Sequence, residues 1–598
     1  MLNGIARRFG FTMAAMLLSI VPAFAIADDI QAEIRKDPML SAMQAELSRA
    51  QKDLRLPDQP VPYFIGYWVQ ESANISLAGK YGGITRTDQD SHPSRYAGVQ
   101  VRVGDYSLDN MNLPMNQRFD QASYADYLEE NDWRTREVPI EGGGAQLRAA
   151  LWALTDSGYK RAIGDYQKKK SFLATGIDKD KAEDFSREKP VVALEPIVEF
   201  GASLEDEKWK DSIRTVTGYL AIQPNIMDPT MEVQAARDVN YYVTTEGTVA
   251  RTSAVIYNIS ITAWTRTEDG MRVSDFRHIM VRDPKELPGV EKLMSEAKAL
   301  ARELADLRVA EEFSPYSGPA ILGPDVAGVF FHEALGHRLE GERQRMDDSG
   351  QTFKGKVGEK VLSEQVTVYD DPSLERFKGR SLVGFYHYDD EVVPARKVTL
   401  IEKGTLRNYL MSRTPIKGFN MSNGHGRSQN PAANAYFGHA VGRMGSLIVE
   451  SSSTFSMDKL KKKLIEEAKK QGKPYGLIIR HVYGGDTNTQ NSGRSSDSRG
   501  NYQAFKATPV LVYAVDVATG KEKLVRGVEV VGTPLASLER VIAAGDDADA
   551  FNGMCGAESG WVPVSVIAPS ILTAQVELQR TGGTAKRSPI LVSPFLEK

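Results

Sequence analysis

Two histidines and a glutamate stand together in Phe330-Phe331-His332-Glu333-Ala334-Leu335-Gly336-His337, a segment that uses two of the chain's eight histidines. Imidazole is the commonest zinc ligand, and a carboxylate beside one ligand can take a proton from water that a metal has acidified. The spacing sets a geometric condition. Side chains four apart on an α-helix project about 40° apart, whereas the five-residue separation of His332 and His337 gives about 140°. One metal can reach both only through a π-bulge or through a helix that ends before His337, and Gly336, without a Cβ, eases either distortion. Gly323-Pro324-Asp325 predicts the helix start, with proline at the first helical position and an acid in the first turn. Val326, Val329 and Phe330 are predicted to face the core. Two hydrogen-bonded histidines in a core helix are the other reading of the same residues.

Catalytic zinc takes three protein ligands and keeps a fourth position open. His387, His425, His439, His481, Cys555 and many carboxylates could complete the set. Cys555, the single cysteine, lies in Asn552-Gly553-Met554-Cys555-Gly556, which reads as a small-residue loop ahead of a strand from Trp561. Zinc would stabilise its thiolate. An inert buried thiol is the alternative. Histidine and cysteine donors suit zinc better than magnesium or calcium, which prefer oxygen.

The elements that must position these groups read as follows. Leu40, Met43, Leu47 and Leu54 predict a helix near 38–54, and Tyr63–Val69 a strand after Pro57, Pro60 and Pro62. Val99, Val101 and Val103 alternate as in a half-buried strand. A helical region near 145–170 runs into Lys168-Lys169-Lys170 and the charged stretch 177–189, expected to be a solvated linker or insertion. Residues 219–273 read as an antiparallel meander, followed by a helix near 290–309. Short strands are expected around 360–410, a helix at 457–471 opened by Ser456, and an exposed loop over the polar run 484–501. Helices and antiparallel strands segregate, so the expected class is α+β: an N-terminal mixed α/β region with the meander, then a mostly antiparallel β domain carrying the metal-binding helix.

Composition bounds the function. With 598 residues, 41% hydrophobic and 25% charged, the chain can bury several cores and is not disordered. Its net charge of −4 argues against a nucleic-acid binder, and one cysteine excludes an intrachain disulfide. Arg7-Arg8, the apolar run Phe11–Val21 and the small-residue pattern around Ala25 and Ala27 read as a signal peptide, too short to span a bilayer. The expectation is an exported, periplasmic protein without a membrane span after cleavage, by the Sec route rather than the twin-arginine one. The expected organisation is a signal peptide at 1–27, an N-terminal α/β domain at 28–200, a middle domain at 201–312 and a catalytic domain at 313–598.

From Leu322-Gly323-Pro324 through Gly328–His337 to Leu339-Glu340-Gly341 the sequence resembles the TldD/TldE (PmbA) family of metallopeptidases, closest to the zinc-bearing TldD type. Gly355–Glu359, Ser363-Glu364, Asp389-Asp390-Glu391, Asn423-Gly424-His425-Gly426-Arg427 and Cys555-Gly556 continue the likeness in order. The resemblance implies zinc bound by His332, His337 and Cys555, with Glu333 as the base that activates a water held by the zinc. It also implies hydrolysis of peptide bonds in unfolded or small peptides, and a homodimer or a heterodimer with a family paralogue. Two other functions are compatible: a catalytically silent peptide-binding or assembly subunit, and a zinc amidase acting on modified peptides.

Overall fold

The computed structural model describes residues 23–581 apart from 90–93, 114–134, 175–181, 202–203, 205–206, 346–350, 430–438, 488–504, 532–533 and 558, together with 586 and 591–597. Strands β1 (Pro62–Lys80), β2 (Gly83–Gln89), β3 (Ser94–Val103), β4 (Thr135–Glu137), β5 (Val192–Leu194), β6 (Met227–Thr244), β7 (Val249–Arg266) and β8 (Arg272–Val281) form one sheet. Its order is β4-β3-β1-β6-β7-β5, with β2 on β1 and β8 on β7. The alternation read over 219–273 is the cause: every second residue is buried over 229–235 on β6 and 253–265 on β7, so each strand has one core face there. Helices α1 (Ala23–Lys36), α2 (Pro38–Asp53), α3 (Gly144–Leu173), α4 (Glu207–Ala221) and α5 (Val290–Val309) complete this half. Leu40, Leu151 and Val99 meet in one core under α2 and α3, and Ile213, Leu300 and Tyr257 in a second under α4 and α5.

Several expectations about this half are corrected. The strand expected at Tyr63–Val69 continues to Lys80, because β1 pairs with β3 on one side and with β6 on the other. That pairing also carries one sheet across residue 200, the expected limit of the first domain. The charged run around 168–189 is not a solvated linker where it is described. Lys169 is buried, with its Nζ 2.5 Å from Asp184 Oδ2. Burial pulls the Lys169 ammonium down, and the Asp184 carboxylate works against that pull. Phe185, fully buried, is clamped between the guanidinium groups of Arg102 and Arg413, 3.7 and 3.8 Å from its ring centre. Positions 1–22 of the expected signal peptide lie outside the described residues, and α1 begins at Ala23. No described helix is long and apolar enough to cross a membrane.

The second half holds β9 (Tyr316–Leu322), α6 (Pro324–Ala334), β10 (Val366–Asp370), β11 (Val398–Glu402), β12 (Ser446–Ser451), α7 (Met457–Lys470), β13 (Tyr475–Thr487), β14 (Phe505–Asp516), β15 (Val541–Gly545), β16 (Asp549–Ala557), β17 (Gly560–Ala568) and β18 (Ile571–Arg580). One sheet runs β15-β18-β9-β13-β14 and another β11-β10-β12-β17-β16, mostly antiparallel, with β9–β13 and β12–β17 parallel. Helix α6 lies between them, against β13 of the first and β16 and β17 of the second. Eight of its eleven residues, 326–332 and Ala334, are buried, which suits that place between two sheets. At Gly328 an added Cβ would stand 3.4 Å from Val566 on β17, so the helix sits close to the sheet. The architecture is α+β. Of the polar run 484–501, the first residues extend β13 to Thr487, and 488–501 lie outside the described residues.

Candidate metal centre

Helix α6 starts where its sequence requires, with Gly323 at the N-cap, Pro324 in the first turn and Asp325 beside it. It ends at Ala334, and a 3₁₀ turn over Gly336–Leu339 follows. Of the two distortions that could align His332 with His337, the chain uses the early helix end. The tighter turn swings His337 back beside the last helical turn, and the two rings lie 5.0 Å apart at 86°. Gly336 contributes through space: a Cβ there would stand 2.0 Å from Met444 Sδ, in a fully buried contact. Arg338 Nη1 donates to the carbonyls of Glu333 and Ala334 at 3.0 and 2.6 Å, satisfying the helix end that the turn leaves open.

Cys555 is not in a loop. It lies within β16, opposite Val562 of β17, and its side chain is buried. The flanking glycines serve packing. A Cβ at Gly553 would meet the Phe551 ring at 2.9 Å, and one at Gly556 the Trp561 ring at 3.0 Å, so aromatic rings cover the bare backbone. The strand brings Cys555 Sγ to 3.0 Å from His332 Nε2 and 3.5 Å from His337 Nε2. Among the described residues, His332, His337 and Cys555 are the only group of three such side chains whose donor atoms all lie within 4.8 Å of one another. A tetrahedral zinc, with Zn–S about 2.3 Å and Zn–N about 2.0 Å, holds sulfur and nitrogen about 3.5 Å apart. The donors fit that ion in type, burial and spacing. Glu333 Oε2 lies 3.8 Å from His337 Nε2, and its side chain, 14% exposed, opens toward solvent more than the three donors do.

Around this trio is a shell of which the sequence signalled Glu340 alone. His337 Nδ1 donates to Glu340 Oε1 at 2.8 Å, leaving Nε2 directed at the sulfur. Arg343 holds the other Glu340 oxygen at 2.7 Å, and Arg443 Nε stands 3.4 Å from Oε1. Burial alone would push the Glu340 carboxyl up, but Arg343, His337 and Arg443 hold it at about 2. Arg443, fully buried, donates to Cys555 Sγ at 3.1 Å and to the Cys555 carbonyl at 2.9 Å. Burial opposes ionisation of the thiol too, yet His332, His337 and Arg443 together bring it well below its ordinary value. The same charges act on the imidazoles in reverse: against burial, Cys555 raises His332, while Glu340 and Cys555 raise His337. The pocket favours positive charge between its donors, which is what a divalent cation supplies.

The other histidines lie elsewhere. His387 is exposed and meets Glu195, His425 is buried against Asp370 and Asn423, and His481 reaches Asp325. His439 is buried and belongs to no such donor group among the described residues. Glu340 had a local signal, a carboxylate three residues after a ligand histidine. Arg443, remote in sequence, had none.

Residues 315–580 match the model of the PmbA/TldA metallopeptidase C-terminal domain. A metalloprotease of Archaeoglobus fulgidus is 29% identical over 303 residues, 50% of this chain and 60% of that protein. One of Methanocaldococcus jannaschii is 31% identical over 247 residues, 41% of this chain and 47% of its own length. The chain thus spans about half the length of the curated relatives it matches. The solved structure of TldE from Thermococcus kodakarensis superimposes with a TM-score of 0.57 at 15% identity, covering 90% of this chain and all of that one, a likeness of fold. Taken with the helix, turn and strand that gather His332, His337 and Cys555, these similarities identify residues 315–580 as a PmbA/TldA metallopeptidase C-terminal domain.

Proposed function

We propose that the chain is a zinc-dependent peptidase acting on unfolded or small peptides, with His332, His337 and Cys555 as the metal ligands and Glu333 as the catalytic base. The observation that carries this reading is the convergence of two imidazoles and the one thiol at 3.0 and 3.5 Å, with a carboxylate at their open side. Bound zinc would polarise a peptide carbonyl and acidify water. Glu333 is placed to take the proton of an attacking water and to return it to the leaving amine. Glu340 fixes the tautomer and direction of His337, and Arg443 keeps Cys555 ionised. A thiolate ligand donates more charge than a third imidazole, so slow turnover is expected. The intact donor set disfavours a silent subunit, and an amidase acting on modified peptides would share the site. We further propose a homodimer or a pairing with a family paralogue, and an exported, periplasmic protein, the latter resting on the pattern at 7–27.

Glu333→Gln tests the reading. The variant should keep its zinc, measured by metal analysis, and lose cleavage of an unstructured peptide pool. Undiminished cleavage would remove Glu333 as the base, and a zinc-free wild type would favour the silent subunit.

A further inference from the structure

The open face of the N-terminal sheet and the outer face of β16 and β17 enclose a cleft of about 690 Å³, within the usual range for ligand sites. It is separate from the metal trio. On β16, Cys555 turns inward, whereas Met554, 44% exposed, lines the cleft, and Trp561 on β17, 58% exposed, lines it too. The opposite wall, on β1, β6 and β7, mixes polar side chains such as Gln70, Ser72, Asn240 and Asn258 with apolar ones such as Ala254 and Ile256.

Two carboxylates face this space from opposite walls. Asp238, on β6, accepts from the Ser72 hydroxyl at 2.5 Å, and among the described residues no basic side chain pairs with it. Asp390, from the C-terminal half, accepts from the Ser428 N–H at 2.8 Å. Burial pushes both acids up, and the charge of Asp238 adds to that effect on Asp390, while Arg427 and Arg443 oppose it. Asn258 adds a buried amide oxygen with no partner among the described residues. Oxygen acceptors thus converge on this space, while the guanidinium groups that line it are engaged with backbone carbonyls, Arg427 with those of Met444 and Pro563 and Arg282 with that of Phe385. Carboxylate and amide oxygens around one space suit a cation that carries several hydrogen-bond donors.

We propose that this cleft is a recognition chamber for a primary ammonium group of an extended peptide, held between Asp238 and Asp390 while Trp561 and Met554 pack against the adjoining chain. The ammonium belongs to a lysine side chain or to a free amino terminus, the same chemistry from two sources. Only the chamber's service to catalysis rests on the peptidase reading.

The test is binding rather than cleavage. A short Ala/Ser/Gly peptide with one lysine and a C-terminal fluorescein is titrated into the full-length protein by fluorescence anisotropy. Further arms carry an acetylated amino terminus, norleucine in place of lysine, or both. The doubly blocked peptide should bind about tenfold more weakly or worse, the loss expected for one charge-assisted contact, and the single block that reproduces the loss identifies the source. Asp238→Asn, which retains an acceptor for Ser72, and Asp390→Asn should weaken the free peptide similarly and leave the doubly blocked one unchanged. Equal binding of free and doubly blocked peptides to the wild type overturns the proposal without any variant, and so does undiminished binding by a folded Asp238→Asn. Ammonium-dependent binding by a protein that holds no zinc and cleaves nothing would overturn the peptidase reading alone.

Discussion

Replacing Glu340 by glutamine isolates the role of the charge behind His337. In the wild type one carboxylate oxygen accepts from His337 Nδ1 at 2.8 Å and the other from Arg343 at 2.7 Å. An amide has one acceptor oxygen. If it stays on His337, its NH₂ faces Arg343; if it turns to Arg343, the NH₂ faces the Nδ1–H. One hydrogen bond is lost in either orientation, and the buried guanidinium groups of Arg343 and Arg443 lose the charge of this carboxylate. Loss of such an orienting partner lowers metal affinity by about 10–100-fold, or about 1.4–2.7 kcal/mol. Breaking the buried pair destabilises the fold by about 3–5 kcal/mol. Zinc titration against a competing chelator reads the first effect, and denaturant unfolding of the metal-free protein the second. Adding Arg343→Met should recover part of the lost stability without restoring metal affinity. An affinity within twofold of wild type would refute the assignment of Glu340 as the group that aims His337.

Gly336→Ala should cost about 1–3 kcal/mol and lower zinc content, because its Cβ would overlap Met444 Sδ; unchanged thermal unfolding and metal content would show that the turn yields freely. Stability should also fall as solutions turn neutral. Burial raises the Glu342 carboxyl from 4.5 to about 7, with the Ser412 hydroxyl and the Gly442 N–H working the other way, and burial likewise raises Asp389 to about 7. A raised folded pKa means a contribution that is complete below the ordinary carboxylate value and lost as pH rises through about 7. Chemical unfolding of wild type and Glu342→Gln across this range checks it, since the variant should show a flatter profile; parallel profiles would dismiss Glu342 as a source.

Periodic signals carried well into three dimensions. The meander became β6–β8 and the helix near 290–309 became α5, because amphipathic spacing directly encodes which face is buried. The metal segment was legible as a constraint: histidines five apart could not share an ideal helix, and the chain resolves that by ending α6 at Ala334. Misreadings came where a residue's surroundings are distant in sequence. Gly553 and Gly556 suggested a loop until Phe551 and Trp561 filled their missing side chains. Lys169 suggested solvent until Asp184 met it. Arg443 lies 112 residues from Cys555, so no local pattern could pair them.

The clamp on Phe185 has a mechanical consequence. Within five residues the chain is fastened to both halves: Asp184 to Lys169 and Arg345, Phe185 between Arg102 and Arg413, Ser186 to Arg413, and Glu188 to the Ser422 N–H. Prising the halves apart would break several shielded charge contacts at once, so the gap between them behaves as a caliper of nearly fixed aperture. On the proposed peptidase reading, such a gap would admit slender, extended chains in preference to folded ones.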